Sequence, residues 1–334
     1  MESDYFLGTA IERSGPDVRL APMSGITDVV FRRLAHRFGA SLVVTEMVAA
    51  DAFLAGEEQA KLRSEGLGIS PHVVQLVGRD PIRMGEAARL AEAAGAEIID
   101  INFGCPAKRV TGGLGGSALM REPDLALRLV EAVVAAVAVP VTVKMRLGWD
   151  DAARNAADLA RRAVGLGVSG VTVHGRTRQQ FYTGRADWAA IREVVETVAV
   201  PVAANGDILC ASTAATCLKR SGAAAVMIGR AALGQPWLIG QVADALARRP
   251  VRPISRTQKT AAAIEHYEGL LTLYGRRMAV KHARKHLAAY AEKAADEGFG
   301  LTTVERRELV TSTEPAHVIG LLRRLRSEPM RSAA

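Results

Sequence analysis

A polar amide and a thiol stand three positions apart in the stretch Ile98, Ile99, Asp100, Ile101, Asn102, Phe103, Gly104, Cys105, Pro106. The first half is a short apolar run and reads as a buried strand. The second half cannot continue it: Gly104 permits a sharp turn, and Pro106 has no N–H and biases Cys105 away from helical backbone. Asn102 and Cys105 are therefore expected where a strand stops. The segment Thr111 to Ser117 carries four glycines and is expected to be mobile. A thiol on a flexible loop at a strand's carboxyl end is a good candidate for chemistry. An isolated cysteine in a turn is more often inert packing, so the elements around it have to decide.

Those elements alternate regularly. Short β-rich runs at 18–21, 42–46, 72–77, 98–102, 141–146, 170–174, 202–205 and 225–228 are separated by helix-like segments at 28–38, 81–94, 123–137, 151–166, 188–198 and 211–220, and 237–247 reads as an eighth helix. Gly39, Gly95, Gly167 and Gly222 stand where left-handed helix ends need glycine. Eight β/α units in about 230 residues match a (β/α)8 barrel. The alternative, a doubly wound sheet, would carry Gly-x-Gly-x-x-Gly after its first strand, and this chain does not.

In a barrel, the carboxyl ends of the strands form the active face. Read strand by strand, they present Pro22, Met23 and Ser24, then Glu46, Gln75, Asn102 with Cys105, Lys144 with Arg146, His174, Asn205 with Gly206 and Asp207, and Gly229 with Arg230. Two of the chain's three asparagines fall in this set. So many polar groups are costly to bury without a ligand to satisfy them. Individual members have plainer alternatives: Glu46 and Arg146 could form a structural ion pair, and Asp207 could cap the next helix. Asn205 to Asp207 and Gly229 to Arg230 resemble a barrel phosphate site, so the ligand is expected to carry phosphate. Lys144 could stabilise electron-rich character on a reduced ring. Cys210 and Cys217 read as core packing, and Gly112 to Gly116 lack the Gly-Lys-Ser/Thr ending of a P-loop.

The net charge of +8 is unevenly distributed. Residues 249–334 hold 16 Lys+Arg against 9 Asp+Glu, whereas residues 1–248 hold 27 against 26. The chain is therefore expected to divide into a barrel over 1–248 and a helical domain over 249–334, with helices near 256–274, 277–295, 303–311 and 315–327. Arg277, Lys281, Arg284 and Lys285 share one helix face, with His282 and His286 beside it. Aligned cations favour a phosphate-backbone track, with a merely solvated face as the alternative. A mean hydropathy of +0.10, no apolar run long enough to span a bilayer, an acidic first turn and three unpatterned cysteines suggest a cytoplasmic protein. No Cys/His spacing suggests a structural metal.

Six ordered motifs resemble those of the tRNA-dihydrouridine synthases: Ala21 to Asp28, Asn102 to Lys108, Val143 to Arg146, Val173 to Thr177, Asn205 to Ile208 and Met227 to Ala231. The likeness extends to His282 through His286 in the tail and, in the form of its cysteine motif, is similar to the bacterial B-type subgroup. It implies an FMN-dependent barrel with a helical tRNA-binding domain, reducing a D-loop uridine with NADPH, or NADH, as reductant, and acting as a monomer. Carried over by motif, Pro22, Met23, Ser24, Gln75, Lys144, His174, Asn205, Gly206, Asp207, Gly229 and Arg230 would hold FMN. Cys105 would be the proton donor. Asn102, Lys144, Arg146 and His174 would surround the uracil, and Arg277, Lys281, Arg284 and Lys285 would face the tRNA.

The chemistry agrees with that expectation. Hydride addition at C6 of uracil needs a proton at C5 from the opposite face, and a thiol is mostly protonated near neutral pH. The base must leave the tRNA stack to reach the barrel. Two other readings compete. A barrel flavoenzyme acting on a free pyrimidine, such as a dihydroorotate dehydrogenase, would not need the basic tail. A catalytically inactive RNA-binding protein would not need the cysteine, lysine and histidine together.

Overall fold

The computed structural model describes residues 17–112 and 115–327. Nine parallel strands form one curled sheet: β1 (Asp17–Leu20), β2 (Leu42–Val43), β3 (Val48–Ala49), β4 (Val73–Val77), β5 (Ile98–Phe103), β6 (Val141–Arg146), β7 (Gly170–His174), β8 (Val202–Asn205) and β9 (Ala225–Ile228). Neighbours run in the order β2-β1-β9-β8-β7-β6-β5-β4-β3. The expected second strand, 42–46, is split. Its first half pairs with β1, Val44 bridges to Val73 of β4, and Val48 and Ala49 continue the pairing along β4. Thr45 fills the gap: its N–H donates to Val73 O, and its hydroxyl accepts from Gln75 N at 2.9 Å. The result is a (β/α)8 barrel whose second strand is kinked, followed by a helical region.

Strand alternation sorts side chains between two environments. Outward positions such as Leu20, Leu76, Ile101, Val143, Val173 and Ile228 are buried against the helices in one continuous apolar core. Inward positions are polar for most of the barrel's height: Arg19, Gln75, Asp100, Thr142, Lys144, Thr172 and Asn205 alternate with that core. The barrel interior is thus largely polar, with a small apolar cluster of Ala21, Val44, Val73, Ile98 and Met227.

The helices start and stop for local reasons. Asp28 caps the helix Val29–Arg37 by accepting from Val30 N and Phe31 N. Pro81 and Pro123 begin theirs, and Gly222 ends Ala211–Ser221 at φ +71°. The helix expected from residue 151 begins only at Ala156, because Asp150 accepts from Ala152 N and Ala153 N and holds a turn there. Two further short helices, Ala50–Leu54 and Glu58–Ser64, lie in a stretch with no expected element.

In the tail, Ser255 and Gln258 form a capping box that opens the helix Arg256–Asp296, broken at Gly275 (φ +67°). Thr303–Thr311 and Pro315–Arg324 complete it. Their second apolar core, around Tyr267, Leu287, Leu309 and Leu322, takes in Leu34 and Trp237 from the barrel's own helices. Among the described residues no helix is long and apolar enough to cross a membrane.

Candidate active site

Sheet register brings the polar strand ends together. Asn102 lies beside Lys144, Arg146 beside His174, and His174 beside Asn205. They open into a cleft of about 390 Å³ at the carboxyl end of the strands. Pro22, Met23, Ser24, Gln75, Asn102, Cys105, Lys144, Arg146, His174, Asn205, Gly206, Asp207, Gly229 and Arg230 all line it. Arg277, Lys281, Arg284 and Lys285 do not; they lie exposed on the tail. Glu46 does not line the cleft either. Met47 does, and Glu46 is buried against Arg63 at 3.2 Å, so no Glu46–Arg146 pair forms.

One relay positions the thiol loop. Asp100, deep in the shaft, accepts from the Thr142 hydroxyl and from Gln75 Nε2, both at 2.6 Å. Gln75 Oε1 accepts from Asn102 Nδ2 at 2.7 Å, and Asn102 Oδ1 accepts from Gly104 N and Cys105 N at 3.0 and 2.9 Å. Burial pushes the Asp100 carboxyl up to about 6, against those two donors. On its far side the Cys105 carbonyl accepts from the Ser117 backbone and hydroxyl. At the end of the glycine-rich segment, Gly115 to Met120 are buried, and Gly116–Arg121 form a 3-10 turn packed on Cys105. A Cβ on Gly116 would meet Cys105 O at 2.9 Å. Gly113 and Leu114 lie outside the described residues.

Arg146 fastens this loop to a second one. Its Nε donates to Gly104 O, and its Nη1 donates to Thr177 O and Phe181 O, at 2.8 to 2.9 Å. Burial lowers its guanidinium to about 10. The second loop carries Phe181 and Tyr182 to the rim of the cleft; neither is among the residues singled out by sequence. The guanidinium carbons of Arg146 and Arg230 stand 5.5 and 4.7 Å from the Tyr182 ring centre.

Positive charge converges here. Lysine and arginine contribute Lys144, Arg146 and Arg230 to the lining, and among the described residues its only carboxylate is Asp207. Lys144 is half-buried, its Nζ donating to Asn205 Oδ1 at 3.2 Å, and desolvation together with Arg146 lowers it to about 8. His174 is pushed well down by burial and then by Lys144, Arg146 and Arg176. Asp207 does not cap the following helix. Its φ of +53° turns its carboxylate back to accept from Arg176 at 2.6 Å and Ala186 N at 2.8 Å, with Arg230 at 3.6 Å. That helix is instead capped by Cys210, which is exposed rather than core packing, whereas Cys217 is buried as expected.

A second buried cluster joins barrel to tail. Asp28 Oδ2 lies 3.5 Å from His266 Nε2 and 3.7 Å from His286 Nε2, and His266 Nδ1 meets Tyr290 OH at 3.2 Å. His286 thus lies on the buried side of its helix, not beside the exposed cations as its spacing suggested. These three side chains bring ligand-type atoms within 4.8 Å of one another. Asp28 Oδ1 is already committed as a helix cap, so the carboxylate serves both halves of the molecule.

Comparison with known proteins places this architecture. The family model described as "Dihydrouridine synthase (Dus)" matches residues 19–317. A "Probable tRNA-dihydrouridine synthase" of Rhodobacter capsulatus is 52% identical over 320 residues, covering 95% of this chain and 96% of its own. One of Rhizobium leguminosarum bv. phaseoli is 52% identical over 305 residues, covering 91% and 93%. The "tRNA-dihydrouridine synthase B" of Xanthomonas axonopodis pv. citri is 45% identical over 295 residues, covering 88% and 89%. With the family model spanning most of its length and half its residues identical to such relatives, this chain belongs to the dihydrouridine synthase family.

Proposed function

We propose that the protein reduces a D-loop uridine of tRNA to 5,6-dihydrouridine, holding FMN in the barrel cleft and using NADPH, or NADH, as reductant. One observation carries this reading: a single thiol, Cys105, is clamped at the edge of a cationic cleft by a hydrogen-bonded relay that begins in the barrel shaft. The names of the relatives supply the substrate class.

The lining fits a flavin phosphate. Gly206 has φ +116°, and a Cβ there would meet Ala186 Cβ at 2.8 Å and His174 Nε2 at 3.2 Å, so the backbone forms a cradle only glycine allows. Arg230 and the Gly229 backbone stand beside it. Lys144 is a half-buried cation whose ammonium donates to a neutral amide, that of Asn205, a charge an anionic ring would balance. Pro22, Met23, Ser24, Gln75 and Asn205 complete the holding set. FMN, when bound and reduced, supplies the hydride that adds to C6 of the uracil.

This chain's residues do the rest. Cys105 donates its thiol proton to C5. Asn102, Lys144, Arg146 and His174 hold the ring and oppose the negative charge that develops on it. The exposed row of Arg277, Lys281, Arg284 and Lys285 tracks the tRNA backbone. Lys285 ties that row to the cleft: a Cβ on Gly25 would meet its Nζ at 2.6 Å, one residue from Ser24. We divide the chain near 248/249, with the monomer as the working unit.

The test is a single turnover. The protein's flavin is reduced anaerobically, tRNA lacking dihydrouridine is added, and flavin reoxidation is followed at its visible band, with orotate as control. Reoxidation by tRNA alone is expected. Reoxidation by orotate alone would move the assignment to a free-pyrimidine enzyme.

A further inference from the structure

We infer that Phe181 is a base-stacking platform for the nucleobase next to the uridine that enters the cleft. This rests on the tRNA substrate proposed above. Three observations carry it.

The first is backbone strain. Phe181 adopts φ +50°, a region that suits glycine or asparagine and that a bulky side chain rarely occupies. The strain is sustained by bracing on both sides: Arg146 donates to the Phe181 carbonyl, and Arg176 donates to Thr183 O and Gly184 O at 3.0 and 2.8 Å. Within the turn, Phe181 N donates to Arg178 O and Thr183 N to Gln180 O.

The second is display. This strained turn places an aromatic ring 45% exposed at the rim of the cleft. A turn needing only a carbonyl for Arg146 would be relaxed by glycine, so the ring is kept here against backbone strain.

The third is the contrast with Tyr182. The Tyr182 ring already has two guanidinium groups near it, whereas among the described residues no cation lies over the Phe181 ring. Phe181 meets the Tyr182 ring edge-on, at 4.8 Å and 78°, which leaves a face open to solvent. An open aromatic face beside the cleft cations Arg146 and Arg230 suits an unstacked nucleobase on a phosphate chain. Flipping one base out leaves its neighbour without a stacking partner, and Phe181 replaces that partner.

Phe181→Gly, Phe181→Leu and Phe181→Tyr separate this from a backbone role, because glycine keeps the carbonyl and removes the strain. Flavin content, melting temperature, flavin reduction by NADPH and KM for tRNA are measured on the full-length holoprotein. The glycine and leucine variants are expected to keep flavin, NADPH reduction and at least wild-type thermal stability, yet to raise KM for tRNA about tenfold. Tyrosine should restore it. A glycine or leucine variant with wild-type KM would overturn the platform. Wild-type protein inert towards tRNA would overturn the substrate reading along with it.

Discussion

Two polar clusters of the molecule, one at the barrel mouth and one at the seam with the tail, are opposites. At the barrel mouth, Lys144, Arg146, His174 and Arg230 converge with one carboxylate, Asp207, which Arg176 also holds. At the seam between barrel and tail, Asp28 is shared by His266 and His286, and Tyr290 completes the group. The seam's one carboxylate is met by two imidazoles, whereas the mouth sets three Lys and Arg side chains against its one carboxylate. Burial alone therefore does not mark a binding site. An excess of one sign of charge, with hydrogen-bonding capacity left over, does. The same contrast appears in Asp28 and Lys144: burial favours the uncharged form of each, but His266 and His286 hold Asp28 down to about 2, whereas Lys144 is left lowered to about 8.

The strongest way to sharpen this contrast is at the thiol. Cys105→Ala should keep flavin and tRNA binding but lose uridine reduction by about a hundredfold or more, the usual range for a general acid. Full activity in a single-turnover assay would end the proton-donor role.

Next comes the unbalanced lysine. The drop from 10.5 to about 8 corresponds to about 3 kcal/mol set against folding at neutral pH. Lys144→Met should therefore raise the stability of the flavin-free protein in urea by up to about that amount while weakening flavin retention. A loss of stability would mean that Lys144 is structural, and the contrast with the seam would fail.

At the seam the sign reverses. Asp28→Asn should cost about 2 kcal/mol, because two buried histidines lose their shared acceptor while the helix cap persists. An unchanged urea midpoint would break the comparison from the other side.

The histidines set a pH window. Burial holds His174 and His286 well below 6.5, so the folded state favours their neutral forms. Their contribution to stability is complete above pH 6.5 and is lost as pH falls below it, since the unfolded chain takes up protons first. Asp28 contributes only to losses below about pH 4, whereas Asp100, raised to about 6, gains stability as pH falls from 6 to 4 and opposes the histidines, so the interval from 6.5 to 4 is read in an Asp100→Asn background. Stability that is flat across that interval would refute this. The smallest effect is expected on the open surface: reversing charge at Arg277, Lys281, Arg284 and Lys285 should weaken tRNA binding about tenfold and flatten its salt dependence, with NADPH-driven flavin reduction intact.

Much of this was legible before any coordinates. The strand positions apart from the split second one, the break near residue 275 and the strand-end residues of the cleft apart from Glu46 follow from period-two runs, glycine punctuation and the rule that barrel sites sit at strand ends. The misreadings share a cause. Glu46 stands at a strand end, but its strand kinks at Thr45 and turns it towards Arg63. Asp207 has a capping residue's identity but a left-handed backbone. Cys210 and His286 were placed by helical spacing, which sets a residue's angle on the helix and leaves open which side faces the core. Phe181 and Tyr182 had no periodic signal, because loop residues acquire position only through what braces them.

By itself, then, the sequence determined which residues would meet at the barrel mouth, since alternation and parallel pairing make strand ends converge whatever the helices do outside. It also determined that the tail would be basic. Only the tertiary structure decided which of those polar groups satisfy each other. Hydrogen bonds and ion pairs fall off within a few ångströms, so partners as distant in sequence as Gln75 and Asp100, Arg146 and Phe181, or Asp28 and His286 are matched by packing.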